Sequence, residues 1–146
     1  MSVGVDDDWC HRIEVKLSER CAGPRSPAAE TEIREFATLL GFEPSSEFSM
    51  IYKAFNGFSE DGASWISLWS MQEIIAERAR WHLPTIVFAD RMIHSHTYAL
   101  DVSKDGNSVI DVDTEEHVAN SLKEFLEAIV NGDFDLPPAR IRGENT

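Results

Sequence analysis

The sequence predicts a single α+β domain, with a largely antiparallel central sheet and about four helices packed around it. Three observations carry this. Stretches with a helical apolar period flank the middle of the chain on both sides. The strand-like stretches cluster in that middle and are joined by hairpin-type turns, not by repeated crossover helices. The length, 146 residues, is that of one ordinary domain and suffices to close a core without disulfide or metal support. An apolar fraction of 42% argues against disorder.

At the start of the chain, Ile13, Val15 and Leu17 alternate with Glu14 and Lys16, the pattern of a half-buried strand. The Gly23-Pro24-Arg25-Ser26-Pro27 connector separates this stretch from the rest of the chain. Ser26 can cap a helix and Pro27 fits its first position. Ile33, Phe36, Ala37 and Leu40 then lie on one helical face, and Gly41 suits the left-handed position just past its end. Pro44 resets the chain, and Ser45 or Ser46 caps a second helix with Phe48, Ile51, Tyr52 and Phe55 on its apolar face. Asn56-Gly57 is expected to stop it, and residues 59–64 read as a loop.

Trp65 to Trp69 reads as a short strand. Ser70 and Glu73 make a capping box for a third helix reaching about Trp81. Ile86-Val87-Phe88-Ala89 is a continuous apolar run, typical of a strand buried on both faces. Ile93 to Val102 and Ser108 to Val112 form a hairpin around Lys104-Asp105-Gly106-Asn107, and a segment around Val118 adds one strand more. Ser121 and Glu124 make a second capping box, followed by the clear apolar face of Leu122, Phe125, Leu126, Ile129 and Val130, which Asn131-Gly132 terminates. Residues 1–25 are set apart as an N-terminal extension, 26–134 as the folded domain, and 135–146 as a polar, proline-paired tail expected to fray.

Charge narrows the possible partners. There are 26 acidic and 13 basic residues, net −13, with a pI near 4.6. Such a field repels phosphate backbones and attracts basic proteins. Direct nucleic-acid binding is therefore not expected, and a protein with a basic surface is. The N-terminus lacks the basic and apolar regions of a signal peptide, and no apolar run reaches a membrane span. Cys10 and Cys21 form no metal-binding or redox pair and read as reduced thiols. These features suit a soluble cytoplasmic protein.

From the second helix onward the residues become more specific. Pro44, then Phe48-x-x-Ile51-Tyr52-x-x-Phe55-Asn56-Gly57, resembles the signature of the SUKH superfamily, which includes yeast Smi/Knr-type cell-wall regulators and bacterial immunity proteins. Ile66 to Ile74 is similar to that family's strand-then-helix element, and Ile86 to Asp90 to its central strand. Tyr98 to Asp101 with Gly106 to Val109 is similar to its hairpin, and Ser121 to Leu126 to its last helix. The likeness covers roughly residues 28 to 133, in order; residues 1–25 match nothing in it. It implies an α+β fold with a binding role, with Pro44, Tyr52, Asn56 and Gly57 as motif positions. In bacteria it implies an immunity protein that neutralises a toxin, often a nuclease or deaminase.

Catalytic signatures are sparse. Cys10 and His11 are neighbours that point apart on an extended chain. There is no nucleophile elbow and no phosphate-cradling glycine loop, so no enzymatic activity is expected. His94 and His96 share one strand face and, with His82, Asp90 or His117, make a conceivable metal site. Tyr98, Leu100 and Val102 continue that face toward the core, which favours packed histidines, so neither metal nor cofactor is expected.

For partner binding, the candidates are Trp65 and Trp69, which share a strand face, and the loop carboxylates Glu60, Asp61, Asp111, Asp113, Glu115 and Glu116. Asp101 and Asp105 are a further acidic pair. If one end of the sheet gathers these loops, the result is a negative rim with aromatic anchors. The expected function is non-catalytic binding of a toxin-like protein. The alternatives are a regulatory or scaffolding module for an endogenous partner, or a small-ligand or metal sensor using the histidine face.

Overall fold

Asp6-Asp7-Asp8 starts the first helix. The Asp6 side chain accepts from the Trp9 backbone N–H at 2.8 Å, and Asp7 and Asp8 sit in the positive first turn of α1 (Asp7–Glu19). The computed structural model describes residues 5–20, 23–59, 65–92, 96–103 and 108–135. The strand expected around Ile13, Val15 and Leu17 is thus a helix. Its buried stripe is Trp9, Cys10, Ile13 and Leu17, a helical spacing, while Val15 faces out. Cys10 belongs to this core, on the helix that packs with α3 and α5.

The second helix begins later than expected. Ser26-Pro27 does not start it; α2 spans Glu30–Leu40 with Ala29 before it. Residues 25–28 run extended because their backbone bonds elsewhere. The Arg25 N–H donates to Gly57 O at 2.9 Å, the Ala28 N–H to Tyr52 O at 3.0 Å, and Ser26 O accepts from the Asn56 N–H at 3.0 Å. Gly41 ends α2 in the left-handed region, as anticipated. Ser45 caps α3 (Ser46–Ala54), its hydroxyl accepting from the Phe48 N–H at 3.2 Å. The helix stops before Asn56-Gly57, at an extended Phe55.

Strands β1 (Phe58–Ser59) and β2 (Ile66–Leu68) come next, the first of them a stretch read partly as loop from sequence. The Ser70/Glu73 capping box is present, with Glu73 N–H to Ser70 Oγ at 3.1 Å and Ser70 N–H to Glu73 Oε1 at 2.8 Å. The helix it opens, α4 (Met71–Ala76), is shorter than expected and tightens into a 3₁₀ turn at Arg78–Arg80. Then come β3 (Thr85–Arg91), β4 (His96–Asp101), β5 (Val109–Asp111), β6 (His117–Ala119) and α5 (Leu122–Val130). Ser121 caps α5 at Glu124 N–H, while Glu124 reaches back to the Asn120 N–H, one residue beyond the usual box.

The six strands form one antiparallel sheet in sequence order, confirming the α+β class; among the described residues five α-helices pack around it. Phe125 of α5 is fully buried, with ring centroids 5.5 Å from Phe88, 5.3 Å from Tyr98 and 5.5 Å from Phe134. Phe36, Phe48 and Tyr52 stack at 5.1 and 4.7 Å, joining α2 and α3 in the same core. Tyr98 and Leu100 point to the α5 side, so Ala99 and its register partners Val87 and Ile110 point to the other. No helix among the described residues is long and apolar enough to cross a membrane.

Candidate functional site at one end of the sheet

Because consecutive strands are antiparallel neighbours, the β1–β2, β3–β4 and β5–β6 connections all leave the same end of the sheet. Trp65 lies just before β2, Met92 just after β3, and residues 112–116 link β5 to β6. Trp65 and Met92 are held together by a Met92 N–H bond to Trp65 O at 2.8 Å. Both expose large apolar side chains, 40% for Trp65 and 42% for Met92, and Val112 adds a third at 40%. From β2 to β5 the end spans three inter-strand steps, about 14 Å.

The backbone here is strained. Trp65, Met92 and Glu115 have φ of 59°, 56° and 64°, and among the described residues these are the three non-glycine positions with positive φ. A left-handed conformation costs a non-glycine residue roughly 1–2 kcal/mol, and such strain concentrates where a surface is held for function.

The acidic loop has an internal scaffold. Asp111 is buried, and its Oδ1 accepts from the Asp113 N–H at 2.9 Å and the Thr114 N–H at 3.2 Å. Its Oδ2 lies 2.9 Å from His96 Nδ1. Asp113 Oδ2 accepts from the Thr97 N–H at 2.9 Å. Asp111 therefore shapes the loop instead of facing outward, whereas Asp113, Glu115 and Glu116 are exposed. Asp101, by contrast, ends β4 at the far side, its Oδ1 taking the Ser103 N–H at 2.8 Å, so the acidic clusters do not all share one end. Glu60, Asp61, His94, Asp105 and Cys21 lie outside the described residues, as do the turn at 104–107 and the tail from 136.

The tryptophan pair is divided. Trp65 is exposed, but Trp69 is 4% exposed and donates its indole N–H to Asp90 Oδ2 at 3.2 Å. The strand ends at Leu68, so the alternation that put the two on one face does not extend to Trp69. Trp69 is a core residue.

The motif residues are also internal. Pro44 is buried. The Tyr52 hydroxyl donates to Trp69 O at 2.6 Å, and burial pushes it well above its usual pKa. Asn56 Oδ1 accepts from the Met71 N–H at 2.7 Å, and its Nδ2 donates to Gln72 Oε1 at 3.0 Å. Gly57 passes so close to β2 that a Cβ there would lie 2.4 Å from Leu68 O. Asn56-Gly57 thus follows a helix that has already ended and joins α3 to the corner between β2 and α4.

Among the described residues, His82, Asp90 and His117 do not join His96; His94 lies outside them. His82 stands near the sheet's other face, Asp90 is taken by Trp69, and His117 Nε2 pairs with Asn120 Oδ1 at 3.0 Å. His96 instead meets Asp111 and Asp113, with ligand atoms all within 4.8 Å of one another. That donor set suits a divalent cation in type, and Asp111 and Asp113 also take the loop's own hydrogen bonds. Met92 and Val112 were missed from sequence. The signal for Val112 was an apolar residue inside the acidic run 111–116; Met92 gave none, because its exposure results from where β3 ends. Comparison of the chain with protein-family models and with curated proteins finds no match.

Proposed function

We propose that this domain binds another protein through the three-loop end of its sheet, with Trp65, Met92 and Val112 as apolar anchors and Asp113, Glu115 and Glu116 as a negative rim. The observation that carries the reading is the concentration of left-handed backbone at Trp65, Met92 and Glu115, two of them exposed apolar side chains, beside exposed carboxylates. Exposed apolar anchors, a tryptophan among them, with charge at the margin are the usual make-up of an interface. The net charge of −13 selects a partner with a basic surface. Together with the SUKH resemblance, this makes an immunity protein that blocks a toxin domain the best reading, acting by steric cover and not by chemistry.

Affinity capture from the native cell identifies the partner, and association kinetics over a salt series test the mode. Glu115→Gln with Glu116→Gln should slow association at low salt, and the difference should vanish near 1 M salt, where screening acts over about 3 Å. Trp65→Ala should speed dissociation at every salt concentration. An association rate indifferent to salt and to both carboxylates, with dissociation unchanged in Trp65→Ala, would move the interface elsewhere.

A further inference from the structure

On the sheet face turned away from α5, Val87, Ala99 and Ile110 sit in register across β3, β4 and β5 and form the floor of an open groove of about 570 Å³. That volume lies within the range of small-molecule sites. Val112 extends the floor. The two walls differ in charge: Arg80 and His82 stand on the β3 side, and Glu115 on the β5 side. In a chain of net −13, an apolar floor with an arginine and a histidine on one wall is a local exception. Arg80 is only loosely engaged, 3.5 Å from Glu77 Oε1 with both side chains more than 40% exposed.

We propose that this groove binds a small carboxylate with a flat apolar body, its carboxylate on Arg80 and His82 and its body over Val87, Ala99, Ile110 and Val112. Charge complementarity selects the ligand and its direction. Arg80 offers a planar donor fork matched to a carboxylate, while Glu115 repels an anion from the opposite wall. Arg80 and His82 precede the start of β3 and Glu115 follows the end of β5, so the walls lie at opposite ends of the floor, and an acid held at Arg80 keeps its carboxylate away from Glu115. A second copy of the chain is a poorer occupant, because two surfaces of net −13 repel and a groove of this size offers little area for a stable dimer. The groove shares Val112 and Glu115 with the three-loop end, but Arg80, Val87 and Ala99 lie outside that end, so Arg80→Gln and Ala99→Leu test the groove without touching the protein-binding reading.

The test uses 1-naphthoate as probe and 1-naphthylmethanol as its uncharged counterpart, followed by titration calorimetry and amide chemical shifts of the full chain. Saturable binding of the acid is expected, with shifts centred on Val87, Ala99, Ile110 and Val112. Binding should weaken about tenfold in Arg80→Gln and to a similar extent for the alcohol, the loss of one charge-assisted hydrogen bond. Ala99→Leu should fill the floor and abolish binding. Val112→Asp, at an exposed position, should weaken it too and serves if Ala99→Leu fails to fold. The proposal is overturned if shifts do not saturate by about 10 mM, or if the alcohol or Arg80→Gln binds as well as the wild-type pair. A dimer in sedimentation equilibrium that Val112→Asp dissociates would also overturn it, since a second copy would then cover the face.

Discussion

Asn56 Oδ1 accepts the backbone N–H of Met71 at 2.7 Å, so the chain leaving α3 holds the first residue of α4. That N–H is one of the donors a helix start leaves without an intrahelical partner, and here it is buried. Asn56→Ala should therefore cost about 1–3 kcal/mol. The adjoining Gly57 permits a sharper comparison. Gly57 and Gly41 have nearly equal φ, 87° and 86°, but a Cβ at Gly41 meets nothing within 4 Å, whereas at Gly57 it strikes Leu68 O. Gly41→Ala should lose only the left-handed penalty of about 1–2 kcal/mol. Gly57→Ala should lose clearly more, and denaturant melts of the two variants measure the difference. Equal losses would mean that β2 yields to the new methyl.

Two buried-edge glutamates should respond to pH with opposite sign. Burial pushes Glu127 upward, but the Trp9 indole N–H at 2.9 Å and the Lys123 ammonium at 2.9 Å outweigh it and hold the carboxyl below its usual 4.5. Its ionised form contributes stability that is present above pH 4.5 and lost as pH falls through the lowered value. Glu127→Gln should thus melt lower than wild type at neutral pH, with the gap closing in acid. At Glu47, burial raises the carboxyl despite the Lys123 and Leu122 N–H groups and the Lys123 charge. Its contribution is present below pH 4.5 and lost as pH rises. Glu47→Gln, which keeps an acceptor for the Lys123 N–H, should match wild type in acid and melt higher at neutral pH. Thermal melts across a pH series check both signs.

Cys10 should be unreactive while the protein is folded. Burial, reinforced by the negative charges of Asp7, Glu14 and Asp6, pushes its thiol up to about 11, and the side chain is 3% exposed. The thiolate is the nucleophile, so alkylation near pH 8 should require opening of α1. Mass-mapped iodoacetamide labelling of Cys10 with and without denaturant measures this. Labelling of the native protein at the rate of a free thiol would place α1 off the core.

Phe125 is the centre of the aromatic cluster with Phe88, Tyr98 and Phe134. Phe125→Ala should cost about 3–5 kcal/mol, the range for emptying a buried aromatic site. A melt within error of wild type would show that α5 does not seal the sheet.

Local patterns in the chain already specify the antiparallel α+β class and the cores of α2, α3 and α5. The caps at Ser70 and Ser121 and the buried run of β3 are legible there too, and the α3 cap is narrowed to Ser45 or Ser46, because each depends on local period and capping chemistry. Local pattern misleads at residues 13–17, where alternation and helical spacing coincide over so few positions; the Asp6 cap, and the packing of Trp9, Ile13 and Leu17 with α3 and α5, decide for helix. The site depends on long-range packing. Trp65 and Trp69 share a period but not a fate, since one lies beside the loops and the other is drawn inward to Asp90. Asp111 looks like any other acid of its run until His96 and two backbone N–H groups close on it. Trp65, Met92 and Glu115 lie far apart along the chain and come to one end only because sheet order follows sequence order, a long-range pairing that no local pattern encodes.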